Sequence, residues 1–443
     1  MRSSINLLPT ILAMAACTVG LTFGAGPAQA QTESVIFNFD GPVFPADGCS
    51  ATGGLGDLQP RAGLFFRNGH LFGTTPSGGS GVKGEPDTKA GTVFSLTIPD
   101  SGDGKKTNLH SFVNNLEGDG LYPCSRLIGG PNRALFGTTT SGGMYGWGTI
   151  FRLKPLGTGL GWSEKVIYNF KGGAWGGLPL DGLVRDTNGN LYGSTSVGGG
   201  SNVGYIFMVS PPLPGEVGGW QFSVLYEFAG GVDGSFPNGD LLLDKNTGAL
   251  FGTTLYGGKS DSGTVFTLTP PPVGTSQWTK TTLWNFSGSD GALPNDGLVG
   301  GTGALFGTTQ NGGATAGGCC GTVFFLWQES VDNLDYTLVV LHEFGAGDDG
   351  STPWAGLLEN PTNTFWGTTT LGGTNGFGTV FELYPDNIRP EVWHYRAFYN
   401  FTGGSGDGAT PEGALTVDST GTLYGTTNAG GTYGRGTVFK LTR

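Results

Sequence analysis

Carboxylates and aromatic side chains that follow a recurrent proline are the residues of this chain best suited to chemistry. Two carboxylates held close together can act as general acid and general base on a glycosidic bond. A tryptophan among them can stack on a sugar ring. The alternative is a solvated polar rim with one ordered structural cation or none, since surface carboxylates are common. The candidates are Arg61, Arg126, Asp181, Asp240, Asp296, Trp354 and Glu412, with Trp175 as a further ring.

A second recurrent phrase, Asp-Gly-x-x-Pro, places an aspartate in the same loops. These carboxylates could bind cations or sugar if they surrounded one opening. An aspartate before glycine also stabilises a turn by a hydrogen bond to its own backbone. Recurrence along the chain favours this structural role. The aspartates are Asp119, Asp233, Asp290, Asp349 and Asp407.

The histidines are poorly placed for catalysis or for metal binding. His110 and His342 occupy positions at which the other repeats have Phe, Tyr or Trp, which favours packing. His70 lies in a turn on the opposite face, and His394 begins an outer strand. A Ser–His–Asp triad, a metal site and a bound cofactor are therefore not expected.

The elements that position these residues come from a repeat. Seven phrases of the type Leu-Phe-Gly-Thr-Thr are each followed by a phrase of the type Gly-Thr-Val-Phe. A third phrase ends at a phenylalanine that recurs every 58 residues from Phe112 to Phe344. A fixed period of this size is typical of repeat architectures.

A single repeat predicts four antiparallel strands. Asn188-Gly189 is a strong hairpin signal between the first two, and segments rich in glycine or proline separate the others. Seven such units predict an all-β fold, a seven-bladed β-propeller. A β-helix is the alternative, although its turns are much shorter than this period. The strands predicted for the third repeat are 182–186, 191–196, 204–211 and 220–228.

The two ends of the repeat region complement each other. Residues 34–39 have the pattern of a fourth strand without the first three, and 436–443 have that of a third strand without a fourth. The N-terminal strand is therefore expected to complete the last blade and close the ring, which removes exposed sheet edges. Residues 31–443 would then form one propeller domain.

The first 30 residues have the composition of a secretory signal peptide. Arg2 gives a positive start, an apolar run covers 7–16, and Ala28-Gln29-Ala30 forms a cleavage site. The alternative is a lipoprotein cleavage box that ends at Cys17. No later stretch is long and apolar enough for a membrane span. The sequence therefore predicts a secreted or periplasmic protein.

The acidic composition argues against two classes of partner. The net charge is −12 and no cluster of Lys and Arg is present. Nucleic acid and anionic membrane surfaces both attract proteins through basic patches, so neither is an expected partner. Glycine is abundant at 86 residues, but it falls at fixed places in the repeats, where it marks turns.

Four cysteines follow the signal segment, which favours disulfides in an exported protein. Cys49 and Cys124 lie in equivalent loops of successive repeats and are expected to pair. Cys319 and Cys320 are expected to form a vicinal disulfide or to stay reduced, because flanking glycines give their backbone freedom.

The loops between the second and third strands offer another candidate surface. They carry aromatic residues among glycines, which suits binding of a carbohydrate or a protein. Packing between neighbouring blades is the alternative. The residues are Tyr145, Trp147, Phe377 and Tyr433.

The phrases L[FY]GTT, Gly-Gly, GTVF and [YHW]-x-F cover nearly all of 34–443, and they resemble those of the GloVer tandem-repeat family of bacterial exported proteins. The resemblance implies export and a repeat array, often with varied surface anchors. It implies no catalytic residue. This chain is expected to differ from anchored members, because no C-terminal anchor is recognisable.

Three functions fit these features. The first strands of a propeller line its channel, so candidates that precede them are expected to surround the channel mouth. The favoured hypothesis is a noncatalytic propeller that binds a glycan or a protein partner there. A carbohydrate-active hydrolase or lyase that uses the rim carboxylates is the first alternative. A structural repeat protein of the cell envelope is the second.

Overall fold

A computed structural model describes most of the repeat region. Predictions that concern residues 1–30, Cys49 and Arg61 lie outside the described residues. None of the helices in the described ranges has the length and hydropathy of a membrane span. The described ranges are 32–40, 62–79, 89–99, 102–113, 118–157, 159–213, 218–314, 318–328, 335–345, 348–389 and 391–442.

Seven antiparallel four-stranded sheets form the blades of a ring, which confirms the predicted seven-bladed β-propeller. In blades 1 to 6 the strands follow chain order across the sheet. Blade 1 comprises Phe65–Arg67, His70–Thr75, Lys89–Thr97 and Lys106–Val113. Blade 2 comprises Ile128–Gly129, Leu135–Thr139, Thr149–Pro155 and Trp162–Asn169. Blade 3 comprises Val184–Arg185, Leu191–Thr195, Tyr205–Ser210 and Gln221–Glu227.

The later blades repeat this pattern, and the last one takes its fourth strand from the N-terminal end of the repeat region. Blade 4 comprises Ser235–Leu243, Leu250–Tyr256, Thr264–Thr269 and Thr279–Asn285. Blade 5 comprises Val299–Gly301, Ala304–Thr309, Thr322–Gln328 and Tyr336–Glu343. Blade 6 comprises Leu358–Asn360, Thr364–Thr369, Thr379–Pro385 and Trp393–Asn400. Blade 7 comprises Thr416–Val417, Leu423–Thr427, Thr437–Thr442 and Thr32–Asn38.

The N-terminal strand closes the ring as predicted. Thr32–Asn38 pairs antiparallel with Thr437–Thr442 and is the outermost strand of blade 7. On the inner side, Thr426 Oγ1 of blade 7 donates to the carbonyl of Ala62, which precedes blade 1, at 3.4 Å. The last blade therefore joins both ends of the repeat region, and the closed ring lacks the open edges of a linear array.

The hydrophobic core lies between neighbouring blades. Where the ring closes, Ile36 and Val438 of blade 7 pack in one cluster with Leu64 and Phe94 of blade 1. All four side chains are essentially inaccessible to solvent. Each blade thus buries its apolar face against the next, which is why a single repeat could not be stable alone.

Packing inside each blade requires the glycine of the Phe-Gly-Thr-Thr phrase. In blade 5, a Cβ on Gly307 would lie 2.6 Å from Phe324 Cζ and 2.9 Å from Leu298. In all seven blades the ring from the following strand would lie 2.3–2.7 Å from such a Cβ. The Phe-Gly-Thr-Thr and Gly-Thr-Val-Phe phrases are therefore the two halves of one contact.

The two threonines of the phrase have different partners. The hydroxyl of the second one bonds to a threonine of the next strand, as Thr309 does with Thr322 at 2.9 Å. Six blades have this pair, and in blade 3 Tyr205 of the third strand takes the place of the partner threonine. The first threonine can reach the next blade, since Thr308 Oγ1 donates to Ala355 O at 3.1 Å.

The aspartate of the Asp-Gly-x-x-Pro phrase has a structural role. It can form the predicted bond within its own turn, as Gly350 N donates to Asp349 Oδ1 at 2.9 Å, and it also anchors the outer strand. Tyr226 Oη donates to Asp233 Oδ1 at 2.8 Å, and Trp284 Nε1 donates to Asp290 Oδ2 at 2.9 Å. We call this pair of an outer-strand side chain and a loop aspartate the outer-strand lock. Two further locks join His342 to Asp349 and Tyr399 to Asp407.

The loops before the first strands share one face with the loops between the second and third strands. A short ladder of Gly120–Leu121 with Ser141–Gly142 joins the two kinds of loop. Within the described residues there are also three 3₁₀ turns, Pro131–Arg133, Gly173–Trp175 and Gly231–Asp233. The equivalent ladders are Gly350–Ser351 with Leu371–Gly372 and Gly408–Ala409 with Ala429–Gly430.

The residue before the recurrent proline adopts a left-handed conformation, which is costly for a side chain other than glycine. Its backbone N–H group donates a hydrogen bond to the preceding blade, as Phe236 N does to Val203 O at 2.8 Å. Repetition of this turn around the ring indicates a structural role. The residues are Tyr122, Leu178, Phe236, Leu293, Thr352 and Thr410, with φ between 50° and 58°.

Candidate functional site: a cavity at the channel mouth

A cavity of about 300 Å³ opens where the loops before the first strands meet at the centre of the ring. We call it the mouth cavity. All seven blades contribute to its wall, and Ala62 and Gly63 are the contribution of blade 1. Six sequence candidates line it together, namely Arg126, Asp181, Asp240, Asp296, Trp354 and Glu412.

These six residues occupy three successive positions of the repeat rather than one. Trp354 and Glu412 directly follow the recurrent proline, Asp181 and Asp296 are second, and Arg126 and Asp240 are third. The wall of the cavity therefore has three tiers. The fourth position is a buried leucine in every blade, namely Leu64, Leu127, Leu183, Leu241, Leu298, Leu357 and Leu415.

Glycine at the third position leaves room for the charged side chains. A Cβ on Gly182 would lie 2.6 Å from Asp240 Oδ1, so any larger residue there would displace this carboxylate. Gly63, Gly297 and Gly356 occupy the same position in other blades. Neighbouring first strands thus approach closely, and only two of the seven blades project a long polar side chain at this tier.

Two aspartates connect neighbouring blades through backbone N–H groups. Gly182 N of blade 3 donates to Asp240 Oδ1 of blade 4 at 2.7 Å. Asp296 accepts from Gly297 N at 2.6 Å with Oδ1 and from Gly356 N of blade 6 at 2.7 Å with Oδ2. Both oxygens of Asp296 therefore have a fixed structural partner, whereas the described hydrogen bonds of Asp240 involve one oxygen.

Burial and mutual repulsion change the protonation of the aspartates. Burial, followed by the charge of Asp240, raises the pKa of Asp181 to about 8, against a hydrogen bond from Ser194 Oγ at 3.1 Å. Burial and the charge of Asp296 raise the pKa of Asp240 to about 6, and the guanidinium of Arg126 opposes this shift. Asp181 therefore retains its proton to higher pH than Asp240 does.

Burial also raises the pKa of Asp296, but the hydrogen bonds from Gly356 and Gly297 favour its ionised form. The Arg126 side chain is the cation that acts on both Asp240 and Asp296. The mouth cavity is therefore an acidic site, partly neutralised by one arginine and by one retained proton.

Amide and aromatic side chains complete the wall, and sequence reasoning missed them. Asn238 Nδ2 donates to Asn295 Oδ1 at 2.7 Å, and Asn295 Nδ2 donates to Trp354 O at 3.4 Å. Tyr256 ends the second strand of blade 4, and Gln310 directly follows the second strand of blade 5. Alignment on the recurrent proline reveals Asn238 and Asn295, because they occupy the same position as Trp354.

Trp175 is not among the residues that line the mouth cavity. Its side chain is 67% exposed, and Lys171 Nζ lies 5.5 Å from the centre of its ring. The loop aspartates of the outer-strand locks are also outside the lining. The structure thus separates this tryptophan and those carboxylates from the six candidates that converge.

The aromatic loops divide into packing residues and exposed residues. A Cβ on Gly172 would lie 2.1 Å from Trp147 Nε1, and one on Gly403 would lie 2.8 Å from the ring of Phe377. Trp147 and Phe377 therefore pack over loops of the next blade with one side of the ring, although they stay 39% and 42% exposed. Tyr433 is 59% exposed on the same face.

Among the described residues, the cysteines occur in loops of two different blades. Cys319 and Cys320 are joined by a disulfide in the loop between the second and third strands of blade 5. Cys124 lines the mouth cavity beside Arg126. Its predicted partner, Cys49, lies outside the described residues, so this pairing stays a prediction.

Comparison with solved structures finds similar chains at low sequence identity. A putative 6-phosphogluconolactonase from Bacteroides uniformis is 10% identical, with 81% of this chain and 89% of that chain covered and a TM-score of 0.47. A putative oxidoreductase (glucose dehydrogenase) from Thermus thermophilus is 16% identical, with 90% and 99% covered and a TM-score of 0.39. Neither likeness is close enough to inform on ligand or activity.

The family comparison extends over nearly the whole chain. No curated protein matches this chain. The model of the Gloeobacter/Verrucomicrobia repeat matches residues 20–247, 158–330 and 320–443. These matches contain the repeated phrases whose glycine, threonine and phenylalanine contacts build each blade. The chain belongs to the Gloeobacter/Verrucomicrobia repeat family.

Proposed function

We propose that this protein is an exported, noncatalytic propeller that recognises a glycan in the mouth cavity. The observation that carries the proposal is the convergence of acidic, amide and aromatic side chains from different blades on one cavity. Every blade has the same strands, so residues that differ at its inner end are what make a symmetric ring specific. Export rests on the signal segment 1–30.

The chemistry of the wall suits a ligand with many hydroxyl groups. Ionised Asp240 can accept hydrogen bonds from sugar hydroxyls, and amides such as Gln310 can both donate and accept. Trp354, which is half-buried at the rim, offers a flat apolar face for a sugar ring. The volume of about 300 Å³ lies at the lower end of small-molecule sites. A terminal sugar of a longer chain is therefore the expected occupant.

The hydrogen bonds of the aspartates favour binding over catalysis. Both oxygens of Asp296 accept backbone N–H groups, and one oxygen of Asp240 does so. A carboxylate that connects two blades in this way is held rigidly, which suits a preorganised binding site. It would have to give up structural hydrogen bonds to act as a nucleophile.

A carbohydrate-active hydrolase or lyase is the second candidate, and one observation favours it. Asp181, with its pKa raised to about 8, lies beside Asp240, whose pKa is raised only to about 6. A carboxylic acid next to a carboxylate is the combination that a general acid and a general base need. This pair makes catalysis worth testing directly.

The test is a screen of the purified protein against a panel of neutral and acidic oligosaccharides, with binding and product release followed in parallel. Binding without product supports the proposed function. Release of shorter or unsaturated sugars would replace it with the hydrolase or lyase. If the protein neither binds nor cleaves any sugar, a structural role in the cell envelope is favoured. Binding of a protein partner alone would move recognition from glycan to protein.

A further inference from the structure

Three side chains with metal-binding atoms meet between the outer strands of blades 1 and 2. They are His110 of blade 1, Asp119 of the following loop and Glu164 of blade 2. One nitrogen or oxygen from each lies within 4.8 Å of the others. His110 Nε2 and Asp119 Oδ1 are 3.5 Å apart. This cluster lies on the outer strands and shares no residue with the lining of the mouth cavity.

Two polar atoms of the cluster lack a hydrogen bond among the described residues. His110 Nε2 and Glu164 Oε1 are both buried, and neither has a hydrogen-bond partner there. Buried polar atoms in native proteins nearly always have such a partner, so this pair calls for an explanation. A ligand shared by both atoms would satisfy them together.

Asp119 is already held in position for such a ligand. Gly120 N donates to its Oδ1 at 2.9 Å, and Val113 N donates to its Oδ2 at 3.1 Å. Each carboxylate oxygen has a second lone pair, so these bonds orient the group without exhausting its acceptor capacity. Hydrogen bonds of this kind commonly orient the ligands of metal sites.

The repeat itself supplies a comparison, because His342 and Asp349 occupy the same positions in blade 5. There His342 Nε2 lies 3.1 Å from Asp349 Oδ2, which is hydrogen-bonding distance. The residue that faces this lock from the next blade is Tyr395, whose ring stacks on His342 at 4.0 Å. Beside His110 and Asp119, Glu164 takes the place of this tyrosine. The change replaces a packing contact by a third ligand atom.

We propose that His110, Asp119 and Glu164 bind a divalent transition-metal ion of the zinc type and thereby join blade 1 to blade 2. One imidazole nitrogen and two carboxylate oxygens are ligands that Zn²⁺ accepts at about 2.0–2.2 Å, with water able to complete a tetrahedron. Ca²⁺ and Mg²⁺ prefer oxygen ligands alone, so the imidazole disfavours them. Metal ligands in neighbouring blades make the ion a structural link rather than a catalytic centre.

The test is a calorimetric titration of metal-depleted protein, produced without a polyhistidine tag, with ZnCl₂. One Zn²⁺ per chain is expected. Glu164→Gln should weaken binding at least about tenfold, whereas His342→Gln should leave it unchanged. Tyr395→Glu gives the His342–Asp349 lock the same three ligand types, and it should add a second Zn²⁺ per chain.

Several results would overturn the proposal. One is the absence of Zn²⁺ binding by the wild type. Another is an affinity of the Glu164→Gln variant for Zn²⁺ that equals that of the wild type. Loss of binding in His342→Gln would place the ion at the His342–Asp349 lock. Tighter binding of Ca²⁺ than of Zn²⁺ would contradict the proposed class of cation. A folded Tyr395→Glu variant without a second ion would show that these three ligand types are not sufficient.

Discussion

At the residue scale, one position of the repeat has different uses in different blades. The third residue after the recurrent proline is glycine in most blades, but it is Arg126 in blade 2 and Asp240 in blade 4. The structure needs a small residue here, since neighbouring first strands nearly touch. A long side chain is therefore accommodated only where the adjacent blade has glycine, as Gly182 does for Asp240.

The retained proton on Asp181 should make stability depend on pH. The unfolded chain ionises this residue near its ordinary pKa of 3.8, whereas burial raises the folded pKa to about 8. Between these values the folded state binds the extra proton, so the free energy of unfolding should fall as pH rises from 4 to 8. Asp181→Asn removes this titration. Urea unfolding at several pH values should give a shallower decline for the variant, and an unchanged slope would contradict the assignment.

At the element scale, one strand-to-strand contact explains most of the repeated phrase. The glycine of the second strand exists because the phenylalanine of the third strand covers it. The two threonines then fix the strand to its neighbour and to the next blade. Repetition of this unit follows from packing, and it carries no information about the ligand.

Blade 5 offers a matched pair of glycines for testing this contact. Gly307→Ala places a methyl group against Phe324, and overpacking of this kind costs about 1–3 kcal/mol. Gly301 belongs to the first strand of the same blade, has no atom within 4 Å of a built Cβ and has no left-handed φ. Urea unfolding should therefore separate Gly307→Ala from Gly301→Ala. Equal stability of the two variants would refute the packing argument.

The strands were predictable from sequence because glycine, proline and Asn-Gly mark the turns between them. In blade 3 the observed strand Gln221–Glu227 lies within the predicted 220–228, and Tyr205–Ser210 lies within 204–211. The aspartate hydrogen bonds were not predictable. Asp296 and Gly356 are 60 residues apart and meet only through the closure of neighbouring blades.

At the scale of the whole molecule, stability depends on the seam where the two ends of the repeat region join. Glu33 of the closing strand is near Tyr399 in the outer strand of blade 6 and Asp407 in the loop that leads to blade 7. Burial, followed by the charge of Asp407, raises the pKa of Glu33 to about 8. The strand that closes the ring thus carries a glutamate, Glu33, whose ionised form is disfavoured.

Glu33→Gln should strengthen this seam at alkaline pH. The folded pKa lies above the ordinary value of 4.5, so the wild type loses stability as pH rises through 8 while the variant does not. Thermal unfolding should show a larger advantage of Glu33→Gln at pH 9 than at pH 5. An advantage that is equal at both values would place the effect in packing rather than in the titration of Glu33.

The central claim is that the mouth cavity, rather than the exposed surface around Trp175, binds the ligand. The chain provides a matched pair of tryptophans, since Trp354 lines the cavity and Trp175 lies outside it. The decisive measurement is calorimetric binding of the tightest oligosaccharide from the screen to Trp354→Ala and Trp175→Ala, with urea unfolding as a check on folding. Trp354→Ala should bind the oligosaccharide at least about tenfold more weakly than the wild type, because a stacked ring is lost. Trp175→Ala should bind it with unchanged affinity. Wild-type affinity in Trp354→Ala, or a loss confined to Trp175→Ala, would contradict the account.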